Sequence, residues 1–363
     1  MTAKHRPSDV LVLGLETSCD ETAASIVEDG RLVRSSVVSS QHDLHAEYGG
    51  IVPEIASRAH VERMLPVVRR AIAEADIDLG DVDAIAVGHR PGLIGSLLVG
   101  VAAAKALAWS LGKPVLGIDH VHAHLYAGLL GDGQRDLDEV FPALGLVVSG
   151  GHTAIYRCAG PTDLVRLGAT IDDALGEAYD KAATILGIPH PGGPNLDVLA
   201  SEPFADPAAV ELPVSTLGRD SLDFSFSGLK TSLLYTVRGI PRPKREGGGY
   251  ERDHTSLSDD ERRDLAACFQ RAACRAIVLK LERSIGRQVD KPRTLLAGGG
   301  VTANSRLRRE LESFAERHGL GLCLPEMRFC VDNAAMIAGL ASVRLARGEA
   351  DDLTLVPVPT TAC

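Results

Sequence analysis

The sequence predicts an α/β chain built from two related lobes, and three observations predict it. Short apolar runs that read as strands are followed by longer runs with helical spacing along most of the chain. A strand, turn and strand unit occurs twice, because the segment from Gly14 to Ser25 lines up with that from Gly145 to Tyr156 at a constant offset of 131. In that alignment Gly14, Ser18, Thr22 and Ala23 meet Gly145, Ser149, Thr153 and Ala154. With 363 residues, 45% of them hydrophobic, the chain is long enough for two cores. The lobes are expected over residues 8–130 and 140–347, each aiming a polar hairpin tip at a central cleft.

In the first lobe, Val10 to Leu15 is an apolar run ending in Glu16-Thr-Ser-Cys-Asp-Glu-Thr22, after which apolar residues resume to Val27. A solvated hairpin would turn on Asn-Gly or Asp-Gly; seven polar or thiol side chains in a row suit phosphate oxygens or a hydrated cation. Arg34 to Ser40 reads as a strand, followed by a loop from His42 to Gly50. Pro53 then opens a helix to about Ala75, whose His60 is expected in packing or on the surface rather than as a ligand. Asp83 to Gly88 is a buried strand, and the glycine-rich stretch from His89 to Leu98 feeds a helix to about Leu111. Such a loop is compatible with an anion site, and equally with a packing turn. Pro114 to Ile118 is the next strand, with a histidine-bearing helix at its carboxyl end, where ligand sites of open α/β sheets gather.

In the second lobe, the hairpin turn Ser149-Gly-Gly151 lets a ligand approach backbone N–H groups. A helix from Ile171 to about Leu186 is expected to carry Asp173, Glu177, Asp180 and Lys181 along one side. Pro191-Gly-Gly-Pro194 reads as a rigid turn beside Asp197, suited to sugar hydroxyls. Asp223 to Thr231 alternates aromatic and hydroxyl residues before turning helical. Residues 238–256 form a mobile loop, with four basic residues between 238 and 245. Ser258-Asp-Asp-Glu261 starts a helix to about Ile285. Thr294 to Ala297 is a strand that spills into Gly298-Gly-Gly300, and Asn304 beyond it can offer donors and acceptors to a nucleoside. Leu320 to Leu324 is a last strand, and a helix starts at Asp332 and runs to about Leu345.

The bulk numbers exclude several classes. With 38 basic against 48 acidic residues the net charge is −10, so attraction to RNA would need a local patch or a partner. Arg306, Arg308 and Arg309, or the 238–245 stretch, are the candidate patches. Seven cysteines, at 19, 158, 268, 274, 323, 330 and 363, form no Cys-x-x-Cys pair, which suits a reducing cytosol and argues against a zinc knuckle. The N-terminal Met-Thr-Ala-Lys-His-Arg-Pro has no signal-peptide core, and Leu93 to Leu111 is interrupted by Gly95, Ser96, Gly100 and Lys105, against a membrane span. A cytoplasmic protein is expected.

Chemistry concentrates in Asp119-His-Val-His-Ala-His-Leu-Tyr126. His120 and His124 share a helix face and can present two nitrogens to one cation, which Asp119 also favours; His122 points elsewhere. Two ligands hold a metal weakly, so a third donor is needed, and Asp332 is the candidate, although its place before a helix equally suits a cap. A metalloprotease would need His-Glu-x-x-His, and positions 121 to 123 are Val-His-Ala.

Glu16 to Thr22, Tyr48-Gly-Gly-Ile-Val-Pro-Glu-Ile-Ala-Ser-Arg58, Ser149-Gly-Gly-His-Thr153, Asp172 to Lys181, Asp223 to Thr231 and Gly298 to Asn304 together resemble the signatures of the tRNA adenosine threonylcarbamoyltransferases, once described as glycoproteases. The resemblance covers nearly the whole chain. It implies a duplicated actin-like ATPase (ribonuclease H-like) fold, the second lobe carrying a helical insertion. It implies transfer of threonylcarbamoyl from threonylcarbamoyl-AMP to the exocyclic amine of adenosine 37 in tRNAs reading codons that begin with adenine. Carried over by position, His120, His124 and Asp332 would ligate one divalent metal, iron first, with zinc or magnesium as alternatives. Val147, Val148, Ser149, Gly150, Gly151, Asp180, Gly193, Asp197 and Asn304 would contact substrate, and Asp20 and Glu21 would serve catalysis. Implied partners are tRNA, a catalytically degenerate paralogue, a small ATPase and a separate enzyme making the adenylate, with no membrane. Arg90 and Val331 depart from the family pattern, where a glycine and a threonine are usual. The rival readings are an actin-fold ATPase or kinase, which the histidine pair disfavours, and a non-catalytic nucleotide-binding scaffold.

Overall fold

The computed structural model describes residues 9–45, 48, 50–131, 136–242, 248–250, 252–287 and 291–360. Of the positions named above, Met1 to Pro7, Gly49, Lys244, Arg245 and Cys363 lie outside the described residues. The chain divides into two compact units, residues 1–141, 158–164 and 323–363 forming the first and residues 142–157 and 165–322 the second. The boundary expected at 347 therefore moves, because the C-terminal segment packs with the first unit.

The first unit is organised on the sheet order β3-β2-β1-β4-β5. Its strands are β1 (Leu11–Glu16), β2 (Glu21–Glu28), β3 (Leu32–Ser40), β4 (Ala84–Arg90) and β5 (Val115–Asp119). β1 runs antiparallel to β2 in the register Leu11 to Glu28 and Glu16 to Ala23, so the polar segment is a hairpin tip as expected. β4 lies parallel to both β1 and β5. A short helix α1 (His42–His45) precedes α2 (Pro53–Ala75), whose limits match the sequence reading: Pro53 suits a first turn, and Asp76 leaves the helix in the left-handed region at φ 55°.

Side chains alternate across β1 with period two. Leu11, Leu13 and Leu15 enter a core with Met64, Val67 and Val68 of α2 and with Val101, Ala104 and Ala108 of the next helix, α3 (Ile94–Leu111). α3 is long and apolar enough to cross a membrane by length and composition; here it packs on β4 and α2. On the opposite face lies the last helix of the chain, Ala334–Ala346, which contacts β1, β2 and β4. Gly14 permits that approach, since a Cβ there would collide with the Ala334 carbonyl oxygen.

After β5 comes α4 (His120–Ala127), then α5 (Leu137–Val140). The second unit repeats the first sheet strand for strand, in the order β10-β9-β6-β7-β8. Its strands are β6 (Ala143–Val148), β7 (Thr153–Cys158), β8 (Leu164–Ala169), β9 (Thr294–Gly298) and β10 (Gly321–Cys323), with β6 parallel to β9. The offset of 131 thus marks a duplicated sheet. The helices here are α6 (Leu175–Leu186), α7 (Gly192–Ala200), α8 (Ser227–Arg238), α9 (Asp259–Ile285) and α10 (Ser305–His318); the last of the chain is α11 (Ala334–Ala346).

Two local expectations are corrected. Pro191-Gly-Gly-Pro194 is no free turn: Pro191 is the N-cap of α7, which packs on α6 and α9. Helix α6 starts at Leu175, so Asp173 precedes it and pairs instead with Lys181 and Lys230, at 2.6 and 2.5 Å. The α9 capping box is present, Ser258 Oγ accepting from Glu261 N at 3.2 Å. In the stretch expected to be a loop, Arg242 N donates to Gly249 O and Arg252 N to Arg238 O.

Candidate metal centre

α4 begins where β5 ends because Asp119 turns the chain and caps the helix, its Oδ1 accepting from Val121 N at 3.0 Å and His122 N at 3.2 Å. Its Oδ2 faces Arg90 Nε at 3.2 Å. Asp119 is therefore engaged by the cap and by Arg90 and is not a member of the donor group itself. Arg90, one of the two departures from the family pattern, braces that cap.

His120 and His124 occupy successive turns of α4 and are both buried. Their ring centroids lie 4.6 Å apart at an interplanar angle of 76°. Asp332 arrives from the other end of the chain. It does not cap α11; Asn333 does, with Oδ1 accepting from Met336 N at 3.0 Å, which leaves the Asp332 carboxylate to point at the histidines. Asp332 Oδ1 stands 3.4 Å from His120 Nε2 and 3.2 Å from His124 Nε2. One donor atom from each residue falls within 4.8 Å of the others. An ion with bonds of roughly 2.1 Å at tetrahedral angles separates its donors by about 3.4 Å. His122 is not part of this group.

The donor set fits a cation on a second ground. His124 is fully buried, yet neither ring nitrogen has a hydrogen-bond partner among the described residues, and Nε2 lies near Asp332 without the alignment of a hydrogen bond. A buried imidazole left unpaired costs about 1–3 kcal/mol, which coordination would recover. Burial disfavours a charged His120, but the carboxylates of Asp332 and Glu16 outweigh it and hold the ring well above its ordinary value. Burial likewise acts against charge on Asp332, and the two imidazoles reverse this, holding it well below the usual carboxylate range. Burial and the neighbouring His120 push His124 down.

The turn between β1 and β2 is supported from beneath by His60, which is buried as packing would have it. Its Nδ1 lies 2.8 Å from Thr22 Oγ1 and its Nε2 3.0 Å from the Cys19 carbonyl oxygen. Glu21 is pushed up to about 9, by burial first and then by Asp332 and Asp20. The Cys19 thiol is pushed up by burial and Asp20, so it keeps its proton and is a poor nucleophile.

In the second unit, Val147 and Val148 are buried at the end of β6 and Ser149-Gly-Gly151 forms the turn. Ser149 O and Gly150 O accept from Gly176 N and Glu177 N, each at 3.2 Å. Gly176 has to be bare, since a Cβ there would come within 2.8 Å of Gly150 Cα and Ser149 O. Asp180 Oδ1 accepts from Gly193 N at 3.1 Å, joining α6 to α7. Asp197 accepts from Gln270 Nε2 at 2.8 Å, Ser305 N at 2.9 Å and Ser305 Oγ at 2.8 Å. Asn304 Oδ1 caps α10 through Leu307 N at 2.9 Å, and its Nδ2 lies 3.4 Å from Gln270 Oε1. Each bond uses half of that group's capacity, so one amide hydrogen and one oxygen lone pair of Asn304 remain for a nucleoside. Gln270 and Ser305 were not anticipated; the available signal was a glutamine directly after the apolar run Leu265 to Phe269 of α9.

Comparison with known proteins gives the family and the fold. A family model for tRNA N6-adenosine threonylcarbamoyltransferase matches residues 32–339. A protein of that description from Sorangium cellulosum is 47% identical, over 97% of this chain and 96% of its own. Another from Anaeromyxobacter dehalogenans is 48% identical, over 93% and 95%. Among solved structures, T. kodakarensis HypF has a TM-score of 0.58 at 16% identity, covering 96% of this chain and 49% of that one. The Acidaminococcus fermentans (R)-2-hydroxyglutaryl-CoA dehydratase component A has 0.51 at 12%, covering 93% and 99%. These likenesses are of fold, the duplicated actin-like ATPase architecture already seen in the repeated sheets.

Proposed function

The chain belongs to the tRNA N6-adenosine threonylcarbamoyltransferase family, and on that premise we propose that it moves threonylcarbamoyl from threonylcarbamoyl-AMP to the N6 amine of adenosine 37, in tRNAs reading codons that begin with adenine. It is a transferase acting on tRNA. The observation that carries the proposal is the convergence of His120, His124 and Asp332 within one unit.

In this reaction the amine nitrogen bonds to the carbamoyl carbon, the bond from that carbon to the AMP phosphate oxygen breaks, and AMP leaves. His120, His124 and Asp332 hold one divalent cation, iron first, with zinc or magnesium as alternatives. When bound, the cation supplies positive charge for carbamoyl and phosphate oxygens. Asp20 accepts the amine proton. Glu21, whose raised value keeps it protonated near neutral pH, donates a hydrogen bond instead. Backbone of Val147 to Gly151 approaches the acyl group. Asp180, Gly193, Asp197 and Asn304 hold the nucleoside.

The partners in this reading are tRNA, a catalytically degenerate paralogue, a small ATPase and an enzyme supplying the adenylate, all cytoplasmic. Incubation of metal-loaded protein and partners with tRNA and threonylcarbamoyl-AMP, followed by mass spectrometry of the nucleosides, is expected to show threonylcarbamoyladenosine. Unmodified tRNA under those conditions would instead favour a non-catalytic scaffold.

A further inference from the structure

Glu16 closes β1 and is wholly buried, a rare setting for a carboxylate. Its Oε2 stands 3.0 Å from His120 Nδ1, and its Oε1 accepts the backbone amide of Ser18. Ser18 Oγ lies 3.3 Å from the same ring nitrogen. Strand alternation puts Glu16 on the same face as Gly14, the face that α11 covers, so the carboxylate is directed to the layer that brings Asp332. The wall behind it is tight: a Cβ on Gly88 would come within 2.5 Å of Oε2. Across the ring, His120 Nε2 faces Asp332 Oδ1.

Metal-ligating histidines nearly always donate their other ring N–H to a carboxylate, a carbonyl or water. The geometry points to Glu16 as the positioning residue of the metal centre: it accepts the Nδ1–H of His120, fixing the ring so that Nε2 is the ligating atom. This rests on the metal reading of His120, His124 and Asp332. Two carboxylates, Glu16 and Asp332, also balance the charge of a divalent ion in a buried site, where an uncompensated charge is costly. His124 has no equivalent support, its Nδ1 lacking a partner among the described residues. Glu16 therefore braces one of the two histidines from behind, and among the described residues the other has no such carboxylate on its Nδ1 side.

Co2+ titration of the chelator-stripped full chain, read by visible absorption, tests this. Wild type should bind and His120→Ala should lose binding, which probes the metal reading by itself. Glu16→Gln keeps the size and removes the charge, and is expected to bind Co2+ 10–100-fold more weakly while retaining the near-ultraviolet dichroism of the wild type. Equal affinity of Glu16→Gln and wild type, with His120→Ala impaired, overturns the role of Glu16 and leaves the metal centre standing. Absence of Co2+ binding by wild type, or unchanged binding in His120→Ala, removes both. Should Glu16→Gln not fold, 15N-histidine NMR of the wild type with Zn2+ decides: Nδ1 protonated and Nε2 ligated in His120 supports the assignment, and ligation through Nδ1 overturns it.

Discussion

Glu21 shows how a single side chain can be set against the stability of its own fold. Its folded value of about 9 exceeds the 4.5 of an ordinary glutamate, so folding takes up a proton between those limits and stability falls as pH rises through them. Glu21→Gln removes that dependence. With metal chelated, its melting temperature should exceed that of wild type by a margin that widens from pH 5 to pH 9; a constant margin would contradict the burial of the carboxyl. The proposed metal ligands make a complementary prediction. Asp332→Asn keeps the side-chain size but not the charge facing both histidines, and elemental analysis should find its metal content well below that of wild type. The sequence was informative about which residues converge, since His120 and His124 share a helix face and Asp332 was the third donor expected. It was silent on Asn333 taking the cap, a choice between neighbours decided by backbone geometry.

At the scale of elements, Gly14 governs how closely α11 approaches β1. Gly14→Ala should destabilise the first unit by about 1–3 kcal/mol through overpacking, measured by urea unfolding, and should also weaken metal binding, because Asp332 lies two residues before α11. Ser258→Ala, which opens the capping box of α9, should cost about 1 kcal/mol and leave metal affinity untouched. Local chemistry made α2 and α9 readable nearly to the residue, since a proline start and a capping box are short-range signals. α7 was not readable. Gly192, Gly193 and Pro194 are poor helix formers, and packing on α6 and α9 overrides their preference.

For the whole molecule, an ion that binds only the folded state stabilises it by about 2.7 kcal/mol at a concentration 100-fold above its Kd. Thermal melts of the first unit's transition should therefore rise with added metal and fall with chelator. The net charge of −10 bears on the RNA, since binding must rely on local cations or partners. Duplication was visible at an offset of 131 because both copies keep the glycine and hydroxyl residues of the hairpin. The return of residues 323–363 to the first unit was not, because the fit of α11 on β1 depends on side chains more than 300 positions apart, which no local pattern records.

That discontinuity has a consequence for biosynthesis. A ribosome delivers β1 to β5 and both imidazoles first, then the entire second unit, and only afterwards the aspartate and the helix that seals the sheet. During translation the nascent first unit waits with one face uncovered until α11 is made, and a chain truncated before residue 332 would lack the third member of the His120, His124 and Asp332 group.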